Sequence, residues 1–207
     1  MFAALTVACG RLRAKQRENR LNNNLLILGA GGYGHVVREI AEDSGIFDKI
    51  DFLDDFNPLA IGRFDDMEKL KSEYKNAVVA LGNADLREGL MGKLKLAGYN
   101  LPAIVSPKAY VSKSAKIGYN TIIEPFAIVN TKCEIGNGTF ICAGAIVNHN
   151  AKIGENCTLQ CGSVVPANSN VAAKTTLDYN KVYDVRFLKP IEKRTPIGND
   201  YKFEDGI

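Results

Sequence analysis

The chain has 207 residues, 46% of them hydrophobic and 24% charged, with a formal net charge of +3. That length holds one large domain or two small ones. So slight a charge, with no Trp and no interleaving of aromatic and basic runs, excludes a nucleic-acid surface. The five cysteines (Cys9, Cys133, Cys142, Cys157 and Cys161) form no C-x-x-C pair, which argues against a zinc site or any other resident metal. Their odd number, without a secretory signal, points to a reducing compartment.

Residues 1–23 form a lead-in. Phe2 to Cys9 is apolar but too short to span a bilayer, and Arg11, Arg13, Lys15, Arg17 and Arg20 come next with only Glu18 opposing them. The plain reading is a frayed helix or the tail of something upstream; the sharper one is a basic segment touching anionic lipid. The expected location is the cytoplasm, with the inner face of the membrane as the variant the lead-in suggests.

Residues 24–104 alternate strand and helix signals. Leu25-Leu26-Ile27-Leu28 is a buried parallel strand ending at Gly29. A glycine turn comes next, then a helix over 35–43 with Val36, Val37, Ile40 and Ala41 on one face. Residues 49–53 read as a second strand, 66–74 as a helix, 77–81 as a third strand, and 84–97 as a helix stopped by Gly98. The order β-α-β-α-β-α predicts a Rossmann-like parallel sheet with right-handed crossovers.

From residue 105 to 180 the period becomes six. Aliphatic residues recur from Val105 through Val111 and Ile117 to Leu177, thirteen times in register, and the residue two before each is small. Neither a helix nor a two-sided strand gives that period; a β-helix does, with one hexad per flat side and about four coils in all. The small slots make Cys133 and Cys157 core filler. Gly118, Gly136 and Gly154 recur just after an interior aliphatic, where the turn is expected to constrain the backbone. Residues 181–207 lose the period and read as an irregular extension.

Four groups of residues are candidates for chemistry. Gly29, Gly31 and Gly34 fit G-x-G-x-x-G between a strand and a helix, where backbone N–H groups favour a phosphate. Asp54 lies twenty residues past Gly34 at a strand end, in reach of ribose or sugar hydroxyls. Taken literally the motif says NAD, but an α/β segment of about 80 residues is half a dinucleotide domain and suits a mononucleotide or nucleotide sugar better. Packing alone is the bland alternative for those glycines. Asp55, Gly82, Asn83 and Arg87 also lie at or after strand ends, where open parallel sheets form their ligand crevice. Arg87 is either a diphosphate partner or a solvated helix residue. His149, two residues after the interior Val147, points away from the core, and an exposed imidazole can take a proton from an attacking amine or hydroxyl.

Together G-A-G-G-Y-G, F-L-D-D-F at 52–56, L-G-N-A-D-L-R at 81–87 and V-N-H-N-A-K-I-G at 147–154 resemble one family. It is the bacterial UDP-4-amino-sugar N-acetyltransferases of bacillosamine synthesis in protein glycosylation, related to sialic acid O-acetyltransferases and perosamine N-acetyltransferases. The resemblance implies an α/β domain joined to a left-handed parallel β-helix, a homotrimer with sites between subunits, acetyl-CoA as donor and a UDP-linked 4-amino-4,6-dideoxy sugar as acceptor. It puts Gly31, Gly32, Tyr33, Asp54, Asp55, Gly82, Asn83 and Arg87 on the sugar nucleotide and His149 on the 4-amine. It puts Thr158, in place of a family His, and Tyr179 on the CoA. Asn150 stands where the family often has an acid, and the period ends early after Leu177. The lead-in resembles a remnant of an upstream membrane-linked sugar transferase domain, as in bifunctional pilin glycosylation proteins. The alternatives are sialic acid O-acetylation and a non-catalytic UDP-sugar-binding module.

Overall fold

The computed structural model describes residues 23–183; the lead-in before Asn23 and the extension after Tyr183 lie outside them. β1 (Leu25–Leu28), β2 (Ile50–Leu53) and β3 (Asn76–Val79) form a parallel sheet in the order β2-β1-β3. Every residue of β1 and β3 is buried, as apolar runs are in strands covered on both sides; the one polar member, Asn76, donates its amide to Asn23 Oδ1 and the Asn24 carbonyl. Leu25 and Ile27 face α1 (Gly32–Ser44), through Val37, Ile40 and Ala41. Leu26 and Leu28 face α3 (Ala84–Leu96), through Leu90, Met91 and Leu94. The helix expected over 66–74 is shorter. A 3-10 turn, Phe64–Asp66, leads into α2 (Met67–Leu70), after which Tyr74 is drawn into the core and its hydroxyl donates to Asp51.

Thirteen two-residue strands come after α3. They pair in parallel at intervals of eighteen residues, Ile104 on Ile122 and Ile122 on Phe140, so three hexads complete one coil. The first face carries Ile104–Val105, Ile122–Ile123, Phe140–Ile141, Thr158–Leu159 and Thr176–Leu177. The second runs from Tyr110–Val111 through Ile128–Val129 and Ile146–Val147 to Val164–Val165. The third runs from Lys116–Ile117 through Glu134–Ile135 and Lys152–Ile153 to Asn170–Val171. The expected interior aliphatics fill the solenoid, and Cys133 and Cys157 are buried thiols among them. The ladder also outlasts its hexads: Val182 bridges to Val164, and Tyr183 packs on the solenoid core.

The corners revise the expectation for the glycines. Left-handed backbone recurs every sixth residue from Asn120 to Asn180, with φ between 53° and 70°. Asn and Gly hold most of these positions, since both reach that region cheaply. Phe126 adopts it too, at φ 63°, with 69% of its surface exposed. Gly118, Gly136 and Gly154 stand elsewhere and need room instead. A Cβ on Gly136 would lie 2.5 Å from the carbonyl carbon of Gly154 and 2.6 Å from the amide nitrogen of Glu155. Gly136→Ala must therefore pry two coils apart, at an expected cost of about 2–3 kcal/mol. Urea unfolding checks this; an unchanged midpoint would mean the coils yield freely.

The α/β half sits on the first face. Ile104, Ile122 and Phe140 point outward there and are buried against α1 and the sheet, each worth roughly 1.5–3 kcal/mol when fully covered. At Thr158 that outward row turns polar. Asn120 extends the joint by behaving as a strand residue beside β3: its Oδ1 accepts from the Val79 N–H at 2.7 Å and its Nδ2 donates to the Val79 carbonyl at 3.2 Å. Lys174 reaches back to Asp85 at 2.6 Å and Glu88 at 2.8 Å.

Candidate functional site

Strand order reverses between β1 and β3, so the carboxyl ends of the sheet open a crevice there. The glycine turn lines it, and its four glycines divide into two kinds. Gly29 has φ 110°, and a Cβ on Gly34 would lie 1.9 Å from the Gly29 carbonyl oxygen, so these two make the turn itself. Gly31 and Gly32 are exposed, with nothing near the place of a Cβ. Gly31 is the N-cap of α1, and no side chain among the described residues caps that end; the first turn also carries no acid. Its free N–H groups and the positive end of the helix dipole meet open space.

The acidic and amide candidates mostly hold this loop in shape. The Asp54 carboxylate accepts from the Ala30 N–H at 2.8 Å and from the Phe56 and Asn57 N–H groups at 2.9 and 3.0 Å. Partial burial would raise its pKa, but those three backbone donors outweigh it and hold the carboxyl below its ordinary value. Asp55 accepts from the Phe64 N–H at 3.0 Å. Asn83 caps α3, its Oδ1 accepting from the Leu86 N–H at 3.0 Å, and Gly82 before it is exposed. Sequence reasoning missed Asn57, whose Nδ2 donates to the Ala30 carbonyl at 2.6 Å and ties the loop after β2 to the glycine turn. Its signal was an amide three residues beyond Asp54. Phe56 stands beside it, 95% exposed.

Two expected ligands of the sugar nucleotide pack into the joint between the halves, Arg87 fully buried and Tyr33 half-buried. Arg87 has no exposed surface. Its guanidinium lies 4.1 Å from the Phe140 ring and donates to the carbonyls of Leu81 at 2.6 Å, Gly82 at 3.2 Å and Asn156 at 2.7 Å. It is neither a diphosphate partner in this arrangement nor a solvated helix residue. It clamps α3 to the solenoid, and burial pulls its pKa below the ordinary value. Tyr33 turns inward as well, stacked on Phe140 with ring centroids 4.8 Å apart and its hydroxyl buried. Burial, then the nearby Cys142 and Glu124, push that phenol well above its ordinary pKa. Glu124, also unforeseen, is buried beneath it and accepts from the Ala143 N–H at 3.0 Å.

His149 is exposed at the corner between the second and third faces. Its Nδ1 lies 3.1 Å from the Asn150 amide nitrogen, which lies 3.3 Å from Oδ1 of Asn168 one coil further on. Asn150 and Asn168 both have φ 59°, and the Asn168 N–H donates to the His149 carbonyl at 3.0 Å, so the three residues form one stacked corner. The α/β half covers the first face, so within one chain His149 and the glycine turn lie on different sides of the prism. Thr158, half-buried on the first face, and Tyr179, exposed just beyond Leu177, are also on other sides from His149. Among the described residues no group of three or more His, Cys, Asp or Glu is placed to hold a metal ion, and no helix is long and apolar enough to cross a membrane.

A family model described as the PglD N-terminal domain matches residues 24–94, and one described as bacterial transferase hexapeptide (six repeats) matches residues 132–167. Comparison with curated proteins finds no match. Among solved structures, the acetyltransferase domain of PglB from Neisseria gonorrhoeae is 26% identical, with a TM-score of 0.70 over 79% of this chain and 92% of its own. That domain in complex with acetyl coenzyme A is 29% identical, with a TM-score of 0.63 over 79% of this chain and 91% of its own. A variant of perosamine N-acetyltransferase from Caulobacter crescentus, in complex with CoA and GDP-perosamine, is 22% identical. It shares the fold, with a TM-score of 0.71 over 78% of this chain and 88% of its own. With a PglD-type N-terminal half joined to bacterial transferase hexapeptide repeats, and this likeness to an acetyltransferase domain, the chain is a hexapeptide-repeat acetyltransferase.

Proposed function

We propose that the protein transfers the acetyl group of acetyl-CoA to the 4-amino group of a UDP-linked 4-amino-4,6-dideoxy sugar of the bacillosamine type, with His149 as general base. The observation that carries this reading is a single exposed imidazole on a hexapeptide solenoid whose other half presents an uncapped helix N-terminus across an open glycine loop. The likeness to the PglB acetyltransferase domain, one example of which is in complex with acetyl coenzyme A, supports acetyl-CoA as the donor. This chain spans 91% of that acetyl-CoA-bound domain, so its four-coil solenoid is no bar to CoA.

In this reading residues 24–104 hold the acceptor. The N–H groups at Gly31, Gly32 and Tyr33 take the diphosphate, while Asp54 and Asp55 keep the loop in place. The amine attacks the thioester carbonyl as His149 removes its proton; coil N–H groups steady the oxyanion, and collapse expels the CoA thiolate, which takes up a proton. Thr158 and Tyr179 lie along the CoA path. Because His149 and the glycine turn are on different sides of one prism, the site is built between neighbours in a homotrimer. The half-buried apolar row Ile128, Ile146 and Val164 on the second face, flanked by the exposed Tyr110 and Val182, is the surface that suits such contact. The lead-in would keep the enzyme near the inner membrane surface.

The test is thiol release from acetyl-CoA with a UDP-4-amino-sugar, with sialic acid in parallel. Release with the amine alone is expected. Release with sialic acid alone would move the assignment to O-acetylation, and sugar-nucleotide binding without any release would leave a binding module. Gly31→Ala tests the loop separately. Its Cβ meets nothing in the protein, so the melting temperature should hold while affinity for the UDP-sugar falls about tenfold or more. Calorimetry and a thermal melt read both, and unchanged affinity would move the phosphates elsewhere.

A further inference from the structure

The corner between the first and second faces carries two cysteines in adjacent coils. The Cys142 N–H donates to the Leu159 carbonyl at 2.9 Å and the Gly162 N–H to the Ala143 carbonyl at 3.0 Å, so residues 142–143 run beside residues 160–162. Cys142 therefore stands next to Gln160, whose Oε1 is 4.0 Å from its Sγ, and one step along from Cys161. Rungs about 4.8 Å apart and a step of about 3.8 Å put the two cysteine Cα atoms roughly 6 Å apart, within the span of a disulfide. The Cys142 thiol meets both the Cys161 thiol and the Glu124 carboxylate.

This pair differs from the other thiols of the solenoid. Cys133 and Cys157 are buried in its interior, each sulfur 3.1 Å from a main-chain carbonyl oxygen, of Asn148 and Ala172. Of the pair, Cys142 is buried and Cys161 half-buried, so a small solute meets Cys161 first. Burial, then the charge of Glu124, holds the Cys142 thiol well above its ordinary pKa, so it stays protonated until a neighbouring sulfur is activated.

We propose that Cys142 and Cys161 are a peroxide-responsive dithiol that closes to a disulfide between consecutive coils. The Cys161 thiolate attacks hydrogen peroxide; the O–O bond breaks, the hydroxide leaves with the thiol proton as water, and the sulfur becomes a sulfenic acid. The Cys142 thiol then gives its proton to Glu124 as its sulfur attacks that of Cys161. The S–O bond breaks, and the departing hydroxide takes the proton from Glu124 as water. Two thiols lose two electrons, and one peroxide is reduced to two waters. Low-molecular-weight thiols reverse the bridge, as suits a reducing compartment. The bridge encloses one coil, the one that carries His149. The inference goes beyond the acetyltransferase reading and needs no role for that ring.

The experiment treats the native protein with hydrogen peroxide, removes the excess, and alkylates in denaturant. Free thiols are expected to fall from five to three per chain, with peptide mapping joining Cys142 to Cys161, and dithiothreitol should restore all five. The oxidised protein should melt about 4 °C or more above the reduced one, because the bridge restrains a coil's length of the unfolded chain. Cys142→Ser should leave Cys161 as a sulfenic acid that dimedone captures, whereas Cys161→Ser should leave Cys142 unlabelled. A bridge that joins Cys161 to a second chain, a bridge that forms only after unfolding, or dimedone on Cys142 in Cys161→Ser with none on Cys161 in Cys142→Ser overturns the proposal.

Discussion

His149→Ala is expected to lower kcat by roughly two to four orders of magnitude, the range that a positioned general base contributes, while affinity for the sugar nucleotide stays near wild type. The separation stems from geometry. The glycine turn that would hold the diphosphate is built by β1, α1 and the loop after β2, none of which contacts the His149 corner within the chain. The ring is exposed at a turn held by backbone hydrogen bonds, with Asn150 N–H donating to the Thr131 carbonyl at 3.0 Å, so its removal opens no cavity and should not change the melting temperature. Steady-state kinetics with a nucleotide-sugar titration gives both quantities. Full turnover in the variant would end the base assignment, and a loss confined to binding would place the ring on the acceptor instead.

Gly34→Ala is expected to be the most damaging small substitution in the α/β half. The added methyl would lie 1.9 Å from the Gly29 carbonyl oxygen and 2.9 Å from its carbonyl carbon, both main-chain atoms of a turn already at φ 110°. No rotamer relieves such a clash, so α1 must shift off β1, and Val37, Ile40 and Ala41 shift with it. A loss of about 4 kcal/mol or more is expected, at the upper end for one residue, read as a fall in the denaturant midpoint or as insoluble expression. Set beside Gly31→Ala, it separates two meanings of glycine within one motif. A stable Gly34→Ala protein would show that α1 has slack the turn conceals.

The solenoid was legible in the sequence because one residue in six is forced into a narrow interior and another into a corner, constraints that neighbouring residues impose on one another. The small sheet was legible for a similar reason: Leu25 to Leu28 are buried on both sides and must all be apolar. The site was legible only in part. Gly31 and Gly32 stand open as the motif suggests, but Tyr33, from the glycine turn, is half-buried against the joint, and Arg87, after a strand end, is fully buried in it. Their burial depends on Phe140, more than fifty residues away, meeting α1 and α3 across the joint. Nothing local to a G-x-G-x-x-G turn or to L-G-N-A-D-L-R encodes that docking. Asn168 was equally hidden, since its tie to Asn150 exists only once a full coil has closed.

The eighteen-residue repeat also limits how such a chain can lengthen or shorten over evolutionary time. Removing a single hexad would keep the small-and-aliphatic rhythm intact, yet every later residue would rotate to the adjacent side, so that Thr158 would leave the row begun by Ile104, Ile122 and Phe140. Insertions and deletions in the main ladder therefore preserve the seat of the α/β half and the His149 corner only in whole-coil steps, whereas loops extruded at the corners escape that arithmetic.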